Sequence, residues 1–270
     1  MRDAECVAFL QWALPRLRLK WAGFRKVRRQ VCRRIQRRMG ELDLGDFAAY
    51  RTLLETHAEE WRTLDGMCRI TISRFCRDKA VFEVLASTVL PELARQALSR
   101  DRAVVTAWSA GCGSGEEPYT IALLWESVLK RDHPDCGIMI LGTDAQRDLL
   151  RRASEARYSH SALRDIPVEW GSAFEPLADG CGLAARYRAA VQFVAHDLRT
   201  ALPLGPFDMV LCRNLAFTYW DDTLQLEITQ GVERVLRPGG VLVIGAHEEL
   251  PPGAAGFTPC GESSCVFRKR

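Results

Sequence analysis

The chain has 270 residues, of which 47% are hydrophobic and 26% charged, and its formal net charge at pH 7 is +3. That length allows one large domain and one small one with a sizeable core, and the composition is ordinary for a globular protein. No uncharged apolar run approaches the roughly 18 residues of a membrane span, and residues 1–5 lack the layout of a secretory signal. We therefore expect a cytoplasmic protein without a membrane span, and take a monomer as the default.

Ten cysteines are scattered along the chain. Because no export signal accompanies them, we expect most to be buried thiols rather than a disulfide framework. Cys260 and Cys265 have four residues between them and no nearby histidine. A zinc site at this pair is the alternative to a hairpin strand, and we favour the hairpin and expect no metal.

Residues 16–38 hold eleven lysines or arginines and no acidic residue. Five apolar side chains recur there at three- and four-residue spacing, which predicts one helical stripe surrounded by basic residues. They are Phe24, Val27, Val31, Ile35 and Met39. We expect an amphipathic basic helix over 24–39, ended by Gly40, within a helical module that occupies residues 1–85.

Two arginines three residues apart, Arg74 and Arg77, stand near the point where this module meets the rest of the chain. On a helix they would face the same side. Without further context, a solvated surface is the better interpretation of the pair.

A glycine turn, two carboxylates and a helix start then follow one another within a few residues. Gly111, Gly113 and Gly115 lack the Cβ atoms that would keep a backbone away from a nucleoside. A dinucleotide pyrophosphate at this helix N-terminus would meet the like charges of Glu116 and Glu117, whereas a cationic amino-acid group would be attracted to them. S-adenosylmethionine carries an ammonium and a sulfonium, so it fits this turn better than NAD or ATP.

From about residue 103, short apolar runs alternate with helical segments, which is typical of a doubly wound parallel sheet. We expect an α/β fold of mostly parallel strands with an antiparallel last strand. The predicted strands are Val104–Ser109, Ile138–Thr143, Val191–Ala195, Asp208–Cys212, Val241–Ala246 and Gly261–Arg268. Residues 238–240, Pro-Gly-Gly, are predicted to stop a helix and turn into the fifth strand.

Polar residues stand where the predicted strands end, and an open parallel sheet binds ligands at that edge. Asp144 follows the second strand, where it would either accept hydrogen bonds from a ribose diol or merely cap the next helix. Asp197 and Leu198 follow the third strand, where they would read and cover an adenine. Arg213 and Asn214 follow the fourth; because they are costly to desolvate unpaired, they either position a ligand or anchor the neighbouring loop.

Five groups of residues stand in a fixed order along the chain. They are Ser73-Arg74-Phe75-Cys76-Arg77-Asp78, the stretch Trp108–Tyr119 with its Gly-Glu-Glu-Pro-Tyr string, Thr143-Asp144, Phe207-Asp208 with Cys212-Arg213-Asn214, and Gly245-Ala246-His247-Glu248. In this order they closely resemble the CheR-type protein-glutamate O-methyltransferases of bacterial chemotaxis, over residues 15–268. The resemblance implies a helical N-terminal domain over 1–85 and a Rossmann-like class I S-adenosylmethionine domain over 86–270, with a small β subdomain inserted within 159–190.

The resemblance also assigns the methionine end of the cofactor. It implies that Arg77, with Ser73 and Thr71, lies over that end, and that Arg77 is also next to the acceptor carboxylate. The amino group of methionine would be bound by Glu116 or Glu117.

For the rest of the cofactor, the resemblance implies that Asp144 binds the ribose and that Asp197 and Leu198 contact the adenine. Arg213 and Asn214 would lie at the cofactor edge near the acceptor. The whole implied cofactor-binding set is Thr71, Ser73, Arg77, Gly111, Gly113, Glu116, Glu117, Asp144, Asp197, Leu198, Arg213 and Asn214.

The chain departs from the family pattern at three places. Phe75-Cys76 stands where two Phe are usual, and Asp197 stands where Asn is usual, which changes the hydrogen bonds offered to adenine. The family tyrosine near the transferred methyl corresponds to Thr218, with Tyr219 one residue later. Either the loop is one residue longer and Tyr219 takes the catalytic place, as we expect, or the aromatic role is lost.

The implied reaction transfers a methyl group from S-adenosylmethionine to glutamate side chains of a chemoreceptor, giving methyl esters and S-adenosylhomocysteine. Such a carboxylate is already ionised at neutral pH, so the absence of an obvious general base agrees with this chemistry. One alternative is a nucleic-acid methyltransferase, which the absence of an Asn/Asp-Pro-Pro-Tyr motif after the fourth strand disfavours. The other is a non-catalytic adapter that binds the cofactor and a signalling partner.

The basic helix is interpreted as the docking site for the partner. The methylated helices of a receptor are acidic, so Arg25, Arg29, Arg33 and Arg37 would steer docking in a salt-dependent manner. A merely solvated face and nucleic-acid binding remain open as alternatives, although the helix has no interleaved aromatic residues and we expect no nucleic-acid partner.

Overall fold

The computed structural model describes residues 3–100, 102–261 and 263–270. It divides into two compact units, the first made of Met1–Thr71 and Thr218–Gln225, the second of Ile72–Phe217 and Leu226–Arg270. The boundary predicted from the sequence lies after residue 85. Residues 72–85 instead belong to the second unit, in which Phe75, Val81 and Phe82 are buried.

The first unit is built of helices, as predicted. They are α1 (Asp3–Ala13), α2 (Trp21–Phe24), α3 (Arg28–Glu41), α4 (Phe47–Thr56) and α5 (Ala58–Cys68). Phe9 of α1 packs against two aromatic rings of α4, with ring centroids 5.1 Å from Phe47 and 5.6 Å from Tyr50. Aromatic packing of this kind supplies much of the apolar area that a small helical unit needs to bury.

The bounds predicted for the basic helix are wrong at both ends. The chain leaves α2 after Phe24 and starts α3 only at Arg28. Gly40 lies inside α3, and the left-handed residue that closes the helix is Asp43, with φ 56°. The Leu44 N–H bonds back to the Met39 carbonyl at 2.9 Å, the bond that characterises a Schellman motif. The apolar stripe is nevertheless confirmed, since four of its five members are fully buried and only Val27 is half-buried.

Segment 218–225 is fastened to the first unit by main-chain contacts. The Lys20 N–H donates to the Tyr219 carbonyl at 2.8 Å, and the Asp221 N–H donates to the Arg18 carbonyl at 2.9 Å. A Cβ atom on Gly23 would lie 2.1 Å from the Thr218 carbonyl oxygen. The close approach of the two backbones therefore requires glycine at position 23.

Most cysteines are buried thiols, as predicted. A disulfide is formed by Cys6 and Cys32, which joins α1 to α3 across a Cα–Cα distance of 6.1 Å. Cys260 and Cys265 flank the turn of an antiparallel hairpin, which confirms the hairpin interpretation of that pair. Among the described residues, no three His, Cys, Asp or Glu side chains form a group that could hold a metal ion.

The second unit contains a seven-stranded sheet of order β6-β2-β1-β7-β8-β10-β9. Its strands are β1 (Val104–Ala110), β2 (Gly137–Asp144), β6 (Val191–Ala195), β7 (Phe207–Leu211), β8 (Leu236–Val243), β9 (Phe257–Pro259) and β10 (Val266–Lys269). The first five strands in this order are parallel to one another, and β10 is antiparallel to β8. The predicted mostly parallel sheet with an antiparallel last strand is confirmed. Every residue of β7 is buried, as expected of a central parallel strand covered on both faces.

Helices of the second unit connect these strands. They are α6 (Lys79–Val84), α7 (Leu90–Leu98), α8 (Glu116–Leu124), α9 (Lys130–Asp132), α10 (Arg147–Glu155) and α11 (Ala185–Arg188), with α12 (Ala216–Tyr219) and α13 (Asp222–Val235) crossing between the units. The helix stop predicted at residues 238–240 comes three residues earlier, since α13 ends at Val235 and residues 238–240 lie within β8. Residues 237–240 then bulge out of β8, because Leu236 pairs with Phe207 whereas Val241 pairs with Met209.

A small antiparallel sheet of order β3-β5-β4 lies between α10 and β6. Its first strand begins at Arg157, two residues before the insertion predicted within 159–190. Its strands are β3 (Arg157–Tyr158), β4 (Phe174–Leu177) and β5 (Gly180–Leu183). Over the whole described part of the chain, no helix is long and apolar enough to cross a membrane.

Candidate active site

The glycine turn connects the end of β1 to the start of α8. Gly111, Gly113 and Gly115 have φ values of 73°, 57° and 88°, a region that side chains rarely adopt. The Gly111 N–H donates to the Thr143 carbonyl at 2.8 Å, which ties the turn to the end of β2. A Cβ atom on Gly111 would lie 2.4 Å from Leu215. The turn is thus closed to larger residues both by its backbone angles and by its neighbours.

Asp144 stands at the end of β2, directly beside this turn. One carboxylate oxygen accepts the Gly113 N–H at 3.0 Å and the other accepts the Gln146 N–H at 2.8 Å. The N-cap of α10 is Gln146, so capping that helix is not the role of Asp144. The carboxylate instead joins the end of β2 to the glycine turn, at the ligand-binding edge of a parallel sheet.

The two adjacent glutamates of α8 have different surroundings. Glu116 is 5% exposed, and within the described part of the chain its Oε2 atom has no hydrogen-bond partner. Burial raises the pKa of Glu116, while a hydrogen bond from Ser73 opposes that rise. Glu117 accepts the Ser109 hydroxyl at 2.7 Å and Arg213 Nη1 at 2.9 Å. A buried carboxylate with an unmet acceptor is suited to a cationic ligand, and that description fits Glu116 alone.

The Arg213 side chain, which is 2% exposed, is surrounded by protein groups. Nη1 donates to Glu117, and Nη2 donates to the Arg77 carbonyl at 2.7 Å and to Asp78 Oδ2 at 3.0 Å. The guanidinium carbon lies 4.9 Å from the Phe82 ring centroid. Of the two roles left open by the sequence, anchoring of neighbouring segments is the one these contacts describe, and a contact of Arg213 with the cofactor stays a prediction.

Asn214 continues this anchoring. It is left-handed, with φ 56°, and its N–H donates to Glu248 Oε2 at 2.8 Å. The same Glu248 oxygen accepts the Gly245 N–H at 2.7 Å. The Asn214 side-chain amide donates to Asp78 at 3.3 Å. The loops that follow β7 and β8 are therefore held together through one buried carboxylate.

Residues 72–78 form an irregular segment rather than a helix, so the expectation that Arg74 and Arg77 share a helical face is wrong. Phe75 is fully buried and packs edge-on against Tyr158 and Phe174, which makes the segment follow the small sheet instead of a helical path. Arg74 forms an ion pair with Asp165. Arg77 is half-buried, and its Nη1 donates to the Ile72 carbonyl at 2.5 Å.

Asp197 lies just after β6 and is bound by an arginine that the sequence analysis did not single out. Arg199 donates to the Asp197 carboxylate from Nε at 3.0 Å and from Nη2 at 2.7 Å. The pair balances the charge that Asp carries where the family usually has Asn. The position of Arg199, two residues after Asp197, is the feature of the sequence that could have predicted this ion pair. Leu198 is buried beside this pair.

Two predicted site residues, Thr71 and Tyr219, belong to the first unit, and all the others belong to the second. The Tyr219 ring packs against Phe24, with ring centroids 5.1 Å apart. The structure therefore brings Ser73 to Glu116, and Arg77 to Arg213, whereas the role of Tyr219 beside the reacting centre stays a prediction.

The basic residues of α3 fall into two groups. Arg29, Arg33 and Arg37 are exposed and recur every four residues along one face, and Arg25 is exposed in the turn before the helix. The others have partners within the unit: Arg28 binds Asp3 at 2.9 Å, Arg34 donates to the Met67 and Arg69 carbonyls, and Arg38 binds the buried Glu60 at 2.8 Å. The exposed group is the set predicted to dock a partner.

Comparison with known proteins identifies two regions of the chain. Residues 71–265 match the family described as "CheR methyltransferase, SAM binding domain", and residues 26–64 match "CheR methyltransferase, all-alpha domain". A chemotaxis protein methyltransferase of Listeria innocua is 34% identical over 186 residues, which cover 68% of each chain. One of Klebsiella aerogenes is 31% identical over 233 residues, covering 83% of this chain and 76% of the relative. Among solved structures, TrmN from Thermus thermophilus is 19% identical over 67% of this chain and 49% of its own, with a TM-score of 0.35.

Proposed function

Because the chain belongs to the CheR methyltransferase family, whose S-adenosylmethionine-binding domain spans residues 71–265, we propose that it methylates glutamate side chains of a chemoreceptor. The products would be glutamate γ-methyl esters and S-adenosylhomocysteine. The observation that carries the proposal is that residues 71–265, which include the glycine turn and Glu116, match the S-adenosylmethionine-binding domain of CheR methyltransferases. Relatives named as chemotaxis protein methyltransferases, 34% and 31% identical to this chain, support it.

The residues of the glycine turn and its neighbours fit the cofactor. When bound, S-adenosylmethionine supplies an electrophilic methyl group on a sulfonium. Glu116 would bind the amino group of its methionine part, since one buried oxygen of this carboxylate has no partner in the described chain. Gly111 and Gly113 would lie against the nucleoside, and Asp144 would hold the ribose. Asp197 and its neighbour Leu198 would contact the adenine.

The acceptor carboxylate needs orientation rather than activation. A glutamate side chain is ionised at neutral pH, so no residue of the chain has to remove a proton from it. Arg77 would hold this carboxylate through one of its donors, because a tight bidentate pair would reduce its nucleophilicity. Thr71 and Ser73 would line the methionine end, and Tyr219 would lie beside the reacting centre. The contribution of the protein is then the alignment of two bound reactants.

The partner would dock on the exposed face of α3. Arg29, Arg33 and Arg37, with Arg25 before them, present a row of cations that matches the acidic helices of a receptor. We propose that the protein acts as a monomer in the cytoplasm on the cytoplasmic part of the receptor. Docking through such exposed charges would weaken as ionic strength rises.

The test uses S-adenosylmethionine with a tritiated methyl group and the purified cytoplasmic fragment of a chemoreceptor. Base-labile tritium on the receptor fragment is the expected result, and a fragment whose methylatable glutamates are replaced by alanine should stay unlabelled. Label on added RNA or DNA would instead make the chain a nucleic-acid methyltransferase. Cofactor binding without transfer to either acceptor would make it an adapter.

A further inference from the structure

A buried charged cluster lies at the base of the segment that carries Arg77. Arg213 is its centre, with the carboxylates of Asp78 and Glu117 at 3.0 and 2.9 Å from its two terminal nitrogens. Arg213 is buried and the two carboxylates are half-buried, so the arginine is costly to desolvate and is stable there only while it keeps its bonds to them. A cluster of this kind holds its members in one geometry.

The backbone on either side of Arg77 has an unusual conformation. The residues on either side, Cys76 and Asp78, both have left-handed backbones with φ values of 53° and 61°. For residues other than glycine this conformation is uncommon and persists when neighbouring contacts enforce it. Arg213 supplies such contacts, because its Nη2 donates both to the Arg77 carbonyl and to the Asp78 carboxylate.

We propose that Arg213 is a positioning residue that fixes the backbone of Arg77 and withholds Glu117 from the cofactor. The same guanidinium serves both purposes, because its Nη2 holds the Arg77–Asp78 peptide and its Nη1 neutralises Glu117. Glu116 is thereby left as the carboxylate with an unmet oxygen. The role assigned to Arg77 rests on the proposed function. The contacts by which Arg213 fixes the backbone of residues 72–78, which we call the clamp, do not depend on it.

The test compares two arginine-to-lysine changes in the full chain. Arg213→Lys keeps the positive charge, but its single nitrogen cannot stand at the positions of both Nη1 and Nη2, so it cannot hold Glu117 and the Arg77–Asp78 peptide together. Arg100→Lys is the matched control, since Arg100 binds the buried Asp208 through both terminal nitrogens at 2.6 and 3.2 Å. Asp208 lies at the opposite end of β7 from Arg213. Asp78→Asn is a second variant that keeps a side chain tolerant of a left-handed backbone.

Three measurements distinguish positioning from general support of the fold. For Arg213→Lys we expect kcat for receptor methylation to fall about 10- to 100-fold, with the Kd for S-adenosylhomocysteine changed less than about 3-fold. In an Arg77→Ala background the same change should lower kcat less than about 2-fold, because its effect passes through Arg77. Hydrogen exchange of the 72–78 amides should rise. Asp78→Asn should also lower kcat and raise the exchange of the 72–78 amides, and its effect on kcat should also shrink in the Arg77→Ala background, each change being smaller than for Arg213→Lys.

The control and the receptor assay separate the possible failures. Arg100→Lys should lower the Tm without changing kcat or the exchange of residues 72–78. Unchanged exchange at 72–78 in Arg213→Lys, or kcat losses that multiply with those of Arg77→Ala, would overturn the clamp. If the wild-type chain methylates no receptor while Arg213→Lys still raises exchange at 72–78, the proposed function fails and the clamp stands.

Discussion

The site of the second unit and the α3 face of the first are both rich in charge, but they hold it in opposite ways. The Arg213 side chain is 2% exposed and touches two carboxylates, whereas the Arg37 side chain is 76% exposed, with its Nε 3.8 Å from Glu41. Buried charges act through position, and each one matters singly. Exposed charges act through the field they share and are screened by salt. Substitutions should therefore have large single effects in one region and small additive effects in the other.

The largest effect is expected from Arg77→Ala. If Arg77 holds the acceptor, its removal should lower kcat about 100- to 1,000-fold while the Kd for S-adenosylhomocysteine changes less than about 3-fold. Steady-state methylation and equilibrium binding measure the two quantities. Equal losses in kcat and in cofactor affinity would mean that Arg77 serves the cofactor alone.

Glu116→Gln should have the next largest effect, and it acts on binding. The variant keeps the shape but loses the charge that attracts the amino group, so we expect cofactor affinity to fall about 10- to 100-fold. Glu117→Gln is the matched control, because its charge is already met by Arg213. It should lower cofactor affinity much less and lower the Tm instead. The reverse order of the two variants would show that the cofactor uses Glu117.

The raised pKa of Glu116 adds a dependence on pH. Burial favours the protonated carboxyl in the folded state. The folded pKa therefore lies above the unfolded one, and its contribution to stability is full below the unfolded pKa and lost as pH rises through the folded pKa. Without cofactor, Glu116→Gln should thus raise the Tm at pH 7, by about 2 °C per kcal/mol recovered. In the wild type, cofactor affinity should fall as the pH drops through the raised pKa. A Tm that is unchanged or lower in the variant at pH 7 would contradict this prediction.

On α3, only a combined change should be easily measured. Replacing Arg29, Arg33 and Arg37 by glutamine should raise the KM for the receptor fragment about 10-fold at low salt and flatten its salt dependence, since exposed pairs contribute little one by one. Cofactor affinity should not change. The matched control replaces three exposed basic residues of the second unit, Lys130, Arg131 and Arg147. A similar rise in KM for both triple variants would show that the effect comes from the loss of net positive charge and not from the position of the arginines on α3.

The smallest effect is expected from Gly40→Ala. Gly40 lies inside α3, and a Cβ atom there would meet nothing within 4 Å. Alanine should therefore stabilise the chain by about 0.5 kcal/mol without altering methylation, because it has the higher helix propensity. Thermal unfolding would detect the gain, and a loss of stability would show that the glycine is needed where it stands.

The sequence predicted the carboxyl ends of the first four strands to within one residue, because hydrophobic runs mark parallel strands. The bounds of the last two were wrong, since β8 begins at Leu236 rather than Val241 and β10 at Val266 rather than Gly261. The sequence could not decide between Glu116 and Glu117. Adjacent helical residues point about 100° apart, and only the packed structure shows which carboxylate meets Arg213. The sequence also could not predict the left-handed backbone at Cys76 and Asp78, because neither residue is a glycine, which is the usual indication of that conformation.

The helix bounds failed for a related reason. A glycine after an apolar stripe usually marks the end of a helix, but Asp43 takes the left-handed position here and α3 runs through Gly40. Charge patterns were also ambiguous from sequence. Arg34 and Arg38 bind groups of α5 and of the residues next to it, so they do not belong to the exposed set.

Segment 218–225 makes the two units interdependent along the chain. The first unit is completed by residues that the ribosome adds about 150 positions after its last helix, so it cannot finish folding until most of the second has been synthesised. A protein shortened to begin at residue 72 would lack Lys20 and Arg18, the main-chain partners of Tyr219 and Asp221, and would lack Leu19, which pairs with the buried Trp220. The helical unit therefore cannot be removed without loss of contacts made by residues 218–225. Cleavage of the chain near residue 71 should give two incompletely folded fragments.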